Sequence, residues 1–298
     1  MNGYLPINKP KGITSFDAVF KIRKIAKTKK VGHTGTLDPM AEGLMIICLG
    51  KSTKAVSYIT ADNKGYIAKM RLGLNSDTYD ITGDVIKNPI YKREDFSDSL
   101  ISETLRSFIG KSSQLPPMYS AKKIDGKKLY ELARKGEEIE RKPCDIEIFD
   151  IDIKEINGDD INFYVHVSKG TYIRSLIYDF GQKLGCGALM TELKRVQNGD
   201  FNLSDAINLD DLKTPEDIEN ALLSPDYVFS NYKKITLNPF CERILKNGVP
   251  VNLRRANIKN DYTNGEFIRI YNEQNEFLAL CRLIDDELLK LEITFFDN

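Results

Sequence analysis

Residues 30–50 read KVGHTGTLDPMAEGLMIICLG. Two kinds of chain meet in this stretch. Residues 31–43 hold three glycines and a proline, the punctuation of a loop. Residues 44–50, LMIICLG, form a short apolar run that reads as a buried strand. A long polar loop delivered straight into a core strand is not the pattern of a regular βαβ unit. Pro39 biases Asp38 away from helix, so the loop presents that carboxylate from extended chain. On its own, an aspartate before a proline is more often a turn residue than a reactive one.

The flanking segments extend the reading. INKPKG (7–12) is an extended or turning entry, because Pro10 disfavours helix at Lys9. Thr14 to Asp17 spells a capping box, TSFD. Behind it Phe16, Val19, Phe20, Ile22, Ile25 and Ala26 mark the apolar side of one helix, with Lys21, Arg23, Lys24 and Lys27 on the polar side. KGYIAKMRLG (64–73) sets Tyr66, Ala68, Met70 and Leu72 against Ile67, Lys69 and Arg71, the period of a strand. NFYVHVS (162–168) alternates in the same way, and Thr171 to Leu184 suits a helix ended by Gly185. Strands, long loops and helices in this irregular order predict an α+β fold. The acidic, Pro-containing stretch 208–226 reads as a helical connector at a domain boundary. Beyond it, Asn247-Gly248 and Asn264-Gly265 give turn signals and helix cues are few, which predicts a small all-β domain. The expected division is 1–230 and 231–298.

Of the 298 residues, 41% are hydrophobic and 29% charged, an ordinary globular mix. No apolar run approaches the ~20 residues of a membrane span, and the N-terminus lacks the core of a signal peptide. Five cysteines without a CxxC pair predict a reduced, cytoplasmic protein. Two distant histidines, His33 and His166, do not suit a zinc site, and His166 on its strand reads as structural. Gly50-Lys51-Ser52 resembles the end of a P-loop, but Met45 occupies the position of the required first glycine, so no nucleotide cradle is expected. No metal and no cofactor are expected.

The 43 basic and 43 acidic residues cancel, which alone speaks against a nucleic-acid partner. The distribution speaks otherwise. Residues 1–75 hold 13 bases and 4 acids, residues 111–142 nine bases and five acids, and residues 200–230 eight acids and one base. A basic front and middle suit a phosphate backbone, although any one charge run is more often a solvated face.

SKGTYIRSL (168–176) places Arg174 about one turn into its helix, behind Ser168, Thr171 and Tyr172. A buried arginine can hold a carboxylate by two hydrogen bonds, keep it ionised and lower its pKa. Tyr66 lies between Lys64 and Lys69, an arrangement that suits stacking on an unpaired base, although a half-buried strand tyrosine is the commoner case. Residues 114–130 combine a stiff Pro-Pro pair, Tyr119 and Tyr130, and Lys122, Lys123, Lys127 and Lys128, which suits either a projecting RNA-gripping element or a surface hairpin without a role.

Together these segments resemble the TruB family of bacterial tRNA pseudouridine-55 synthases. INKPKGITS (7–15), KVGHTGTLDPMAEGLM (30–45), KGYIAKMRLG (64–73), QLPPMYSAKKIDGKKLYELARKG (114–136) and VSKGTYIRSLIYDFGQKLGCGALMTELKRVQNGDF (167–201) carry the resemblance in family order. ILKNGVPV (244–251) resembles part of a reduced PUA-like RNA-binding domain. The resemblance implies a pseudouridine synthase fold, a mixed and largely antiparallel sheet flanked by helices. It implies isomerisation of uridine 55 in the tRNA T-loop by base flipping, without cofactor, by a monomer that uses no guide RNA and no membrane. Asp38 matches the catalytic aspartate, Tyr66 the stacking tyrosine and Arg174 the arginine paired with the aspartate. His33 matches the histidine that helps open the RNA loop, Leu193 a hydrophobic residue around the site, and Lys9 with Pro10 a motif under the catalytic loop. Lys9, Lys64, Tyr172, Lys122 and Lys123 are expected on the RNA side of the site, the last two in an insertion at about 111–142 that closes over the T-stem-loop.

Overall fold

The computed structural model describes the chain except Ala61, Ala121, Asp125, Arg134, Lys135, Glu138, Lys259, Asn260, Asp297 and Asn298, and except the side chains of Lys123, Ile124, Lys127, Lys128 and Tyr130. The strands are β1 (Gly3–Lys9), β2 (Val31–His33), β3 (Glu42–Leu49), β4 (Lys64–Leu72), β5 (Gly110–Gln114), β6 (Cys144–Asn157), β7 (Asp160–Val167), β8 (Ala188–Asn198) and β9 (Ile207–Asn208). Among the described residues they join one ten-stranded sheet in the order β9-β1-β3-β8-β4-β7-β6-β5, with β2 added beside β3 and Phe201–Asn202 beside β8. The β9–β1 and β3–β8 pairs are parallel. The other pairs are antiparallel, for example β8–β4 and β4–β7. The sheet is therefore mixed and largely antiparallel.

The apolar run in β3 has a structural reason. Met45, Ile47 and Leu49 enter the main core, while Leu44, Ile46 and Cys48 enter a second core behind the sheet. With both faces covered, no position is left for polar alternation.

Helix α1 (Ser15–Ile25) begins at Thr14 with the expected capping box to Asp17. Its buried face is Ser15, Ala18, Val19 and Ile22. Phe16 and Phe20 are 63% and 62% exposed, which corrects their expected place in the core. They lie about 110° and about 150° round the helix from the centre of the buried stripe. Helix α2 (Ile173–Leu184) buries Ile173, Leu176, Ile177 and Phe180, and ends at Gly185 with φ 84°. Within 208–226 only Pro215–Ala221 is helical, opened by a Thr214–Asp217 capping box.

The C-terminal part folds as a second sheet. β10 (Lys233–Thr236), β11 (Val251–Asn252), β12 (Phe267–Tyr271), β13 (Phe277–Ile284) and β14 (Leu288–Thr294) take the order β10-β12-β13-β14-β11. It also carries a helix, α3 (Pro239–Lys246), where an all-β chain was expected. Asn238 accepts from the Cys241 amide and Pro239 fills the first turn, so the Asn-Pro pair starts a helix here. Leu280, Ile293 and Phe295 from this sheet meet Tyr4, Leu44, Ile46, Ile59 and Phe229 in the core behind the large sheet. No helix among the described residues is long and apolar enough to cross a membrane.

Candidate active site

The loop between β2 and β3 is held along most of its length. Ser15 Oγ donates to Leu37 O at 3.0 Å and accepts from Leu37 N at 2.8 Å. Gly12 N donates to Pro39 O at 2.8 Å. Arg195 Nη2 donates to Gly35 O at 3.1 Å, and Asn198 Nδ2 to Thr34 Oγ1 at 3.2 Å. Asp38 O accepts from Ala41 N at 3.0 Å, which turns the chain into β3. The backbone around Asp38 is thus fixed before any ligand binds.

Lys9 supports this frame from beneath. Its Nζ donates to Pro10 O and Ile13 O at 2.8 and 2.9 Å, shaping the turn that carries Gly12. Lys9 has 0% exposure, so the expected RNA contact at this residue is corrected: its charge is spent on backbone carbonyls. Burial lowers its pKa to about 8, with the nearby Asp38 opposing that shift.

Asp38 meets Arg174 across 136 residues of sequence. Arg174 Nε lies 3.0 Å from Oδ2, and Nη2 donates to Oδ1 at 3.1 Å. The same guanidinium donates to Tyr119 O at 2.9 Å and Thr78 O at 3.2 Å, and its Nη1 is 3.4 Å from Asp80 Oδ2. Asp80 is buried, and its Oδ1 accepts from Thr82 N and Thr78 Oγ1, both at 2.9 Å. Tyr79, at φ 64°, stacks on Tyr178 at 4.0 Å, one helical turn beyond Arg174. Its backbone is pinned to β8, with Met190 N donating to Tyr79 O at 3.1 Å. Asp80 is therefore a member of the site that sequence reasoning missed.

The Asp38 side chain keeps 33% of its surface, but that surface opens into a walled cavity. Burial pushes its pKa up and Asp80 adds to the rise, while Arg174 opposes it. Arg174 lowers the pKa as expected, but desolvation is the larger effect and the net shift is upward. The double contact to Arg174 still favours the ionised form over an isolated buried carboxylate.

The cavity has a volume of about 420 Å³. Asp38 and Arg174 form one wall, Tyr66, Leu193 and Arg195 the sheet floor, and Lys64 and Tyr172 the flanks. Tyr66 and Arg195 are directly paired across β4 and β8, so both side chains rise from one face. Lys64 Nζ is turned onto Thr60 O at 3.0 Å and onto Asp62 O, and burial lowers its pKa to about 8. Tyr172 caps α2 without a side-chain bond, and burial raises its phenol pKa. Gln114 clasps the Tyr172 backbone, accepting from its N at 2.8 Å and donating to its O at 3.1 Å.

Residues 115–120 and Lys122 lie against the site. Ser120 and Lys122 line the cavity, and Leu115 O accepts from Ser175 Oγ at 3.1 Å. Lys122 Nζ sits 2.6 Å from Cys144 Sγ. The Lys123 side chain is outside the described residues. His33 stands at the start of the loop, half-buried, and does not line the cavity. Its Nδ1 accepts from Gly35 N at 3.2 Å and burial lowers its pKa, which favours the neutral ring. His166 packs near the Phe149 ring at 5.1 Å, away from the cavity.

The cavity thus brings together an aromatic ring at Tyr66, an apolar side chain at Leu193 and the carboxylate of Asp38. The whole chain shares its fold with a chain from the crystal structure of a Cbf5-Nop10-Gar1 complex, at a TM-score of 0.70 and 25% identity over 98% of this chain and 84% of the other. Residues 23–173 match the N-terminal domain of TruB family pseudouridylate synthases, and residues 174–225 the tRNA pseudouridylate synthase B C-terminal domain. The chain is 46% identical over 283 residues to tRNA pseudouridine synthase B of Clostridium tetani, covering 94% of this chain and 95% of that one. Against the same-named protein of Clostridium acetobutylicum it is 46% identical over 293 residues, 98% of this chain and 99% of that one. The chain belongs to the TruB family of pseudouridylate synthases.

Proposed function

We propose that this chain isomerises uridine 55 in the T-loop of tRNA to pseudouridine, with Asp38 acting on the flipped nucleotide, Arg174 orienting Asp38 and Tyr66 stacking on the uracil. The observation that carries this reading is the Asp38–Arg174 pair at the rim of a cavity floored by Tyr66. Isomerisation breaks the uracil N1–C1′ bond, turns the base and joins C5 to C1′. Atoms are conserved, and no oxidant or energy source enters the balance. An ionised Asp38 serves attack on C1′, addition to the ring or elimination to a glycal, and each route needs the base out of its stack. The two Arg174 contacts fix the carboxylate oxygens, so little orientation is lost when the nucleotide arrives. In the last step C5 loses its proton, and N1, freed from C1′, carries one in the product, so the atoms balance.

The partner in this reading is the T-stem-loop of tRNA, bound by a cytoplasmic monomer without guide RNA. The 10 basic and 10 acidic residues of 231–298 support a standalone enzyme. We divide the chain at 230/231 into a catalytic domain and a PUA-like RNA-binding domain. The test is incubation of the purified protein with unmodified tRNA, without ATP and with EDTA, followed by mapping of pseudouridine. Conversion at position 55 is expected. Absence of pseudouridine, or its appearance only elsewhere, overturns the proposal.

A further inference from the structure

Arg195 is 1% exposed and is the largest fully buried side chain. It sits in the middle of the large sheet, where a cation is costly unless paired. Among the described residues it has no carboxylate partner. Its Nε donates to Leu44 O at 2.7 Å and its Nη2 to Gly35 O at 3.1 Å, and Nη1 has no hydrogen-bond partner among the described residues. The side chain lines the catalytic cavity. Gly43, paired with Arg195 across β3 and β8, has φ 105°, and a Cβ there would lie 2.3 Å from Arg195 O. The sheet is therefore drawn tight at Arg195.

A second cation stands beside it. Lys64 is two residues from Tyr66 on the same face of β4, and Tyr66 is the direct cross-strand partner of Arg195. Arg195 depresses the Lys64 pKa, second only to burial. Two neighbouring positive groups at the wall of one cavity repel each other, and an anion between them relieves both. Asp38 does not fill that place, because its two oxygens face Arg174.

We propose that Arg195 and Lys64 form a phosphodiester subsite, in which Arg195 Nη1 and the Lys64 ammonium hold a backbone phosphate adjoining the flipped uridine. This rests on the pseudouridine synthase reading of the cavity. The guanidinium serves both protein and substrate, since two of its nitrogens fix the catalytic loop and the edge of β3 while the third reads the RNA. Phosphate binding is thereby coupled to the position of Asp38 through Gly35.

The test is a cycle between enzyme and substrate. T-stem-loop RNAs carry a neutral methylphosphonate at the linkage 5′ or 3′ of the target uridine, and single-turnover rates and RNA affinity are measured for wild type and Arg195→Gln. Conversion of the unmodified RNA by wild type is read first, and its failure removes the underlying functional reading instead of this one. For wild type, one of the two neutral linkages is expected to cost at least ~10-fold in rate over affinity. Arg195→Gln is expected to be slowed by a similar factor on unmodified RNA and to lose less than ~3-fold more at that linkage. Penalties that multiply at both linkages overturn the subsite. If Arg195→Gln does not fold, Lys64→Gln goes through the same cycle, where coupling at one linkage supports the proposal and independent penalties overturn it.

Discussion

Asp38 and Asp80 are joined through one guanidinium. Arg174 places Nε 3.0 Å from Asp38 and Nη1 3.4 Å from Asp80. The Asp80 side chain lies behind the arginine and has no place in the cavity wall. This geometry suits a positioning residue that holds Arg174 while two of its N–H groups reach the Asp38 carboxylate. Asp80→Asn is expected to lower the single-turnover rate ~10–100-fold while RNA affinity changes by less than ~3-fold. Rates from rapid-quench pseudouridine assays and affinities from filter binding separate the two effects. A wild-type rate would show that Asp80 only fills its turn.

The same geometry sets a pH dependence. Burial raises the Asp38 pKa above the ordinary 3.8, Asp80 adds to that rise, and Arg174 counters it. In the proposed function Asp38 acts ionised, so the rate is expected to fall as pH drops through a value above the ordinary aspartate range. In Asp80→Asn the neighbouring negative charge is gone, and the acid limb should move to lower pH. Asp38→Asn should fold and convert no uridine at any pH. An acid limb unmoved in Asp80→Asn would remove that residue from the electrostatics of Asp38.

Tyr66 lines the cavity with Leu193, and in the proposed function its ring stacks on the uracil. In Tyr66→Phe the ring remains, so stacking and RNA affinity should be nearly kept. A large loss of rate, on the order of 100-fold, is expected if the hydroxyl takes part in moving a proton. The check is single-turnover kinetics beside an affinity measurement on the same RNA. An unchanged rate would limit Tyr66 to stacking.

Local chemistry was readable where it was punctuated. The Thr14–Asp17 capping box, the Gly185 stop and the Gly/Pro-marked loop around Asp38 all appear where the residues place them. The Asp38–Arg174 pair was legible only through the family resemblance, because spacing says nothing across 136 residues. Asp80 and Arg195 were not readable. Asp80 looks like one more turn aspartate in DTYDITGD (77–84), and its role comes from where that turn lands on α2. Arg195 sits in a strand with charged neighbours, and its burial follows from a central place in the sheet. Phe16 and Phe20 were misplaced because apolar residues cover more than half of α1, and the period then does not fix which stripe faces inward. Asn238-Pro239 was a legible helix start hidden by its equal use as a turn signal.

Phe229 gives the last test, of how the two sheets are tied. It is buried in the core shared by both, with rings of Tyr58 at 5.6 Å, Phe277 at 6.1 Å and Phe295 at 6.2 Å. Tyr58 belongs to the large-sheet part, whereas Phe277 and Phe295 come from the C-terminal part. Removing the ring leaves a cavity that rigid strands on both sides cannot close, so Phe229→Ala should cost ~3–5 kcal/mol. Much of that loss falls on the contact between the sheets and less on either sheet's own core. The wild-type chain is therefore expected to unfold in one calorimetric transition, and Phe229→Ala in two, with the C-terminal part melting first because its core is smaller. Trimming Phe180, which lies wholly in the large-sheet core, is the control: Phe180→Ala should lower the melting temperature without splitting the transition. A single unshifted transition in Phe229→Ala would mean that the shared core contributes little to holding the sheets together.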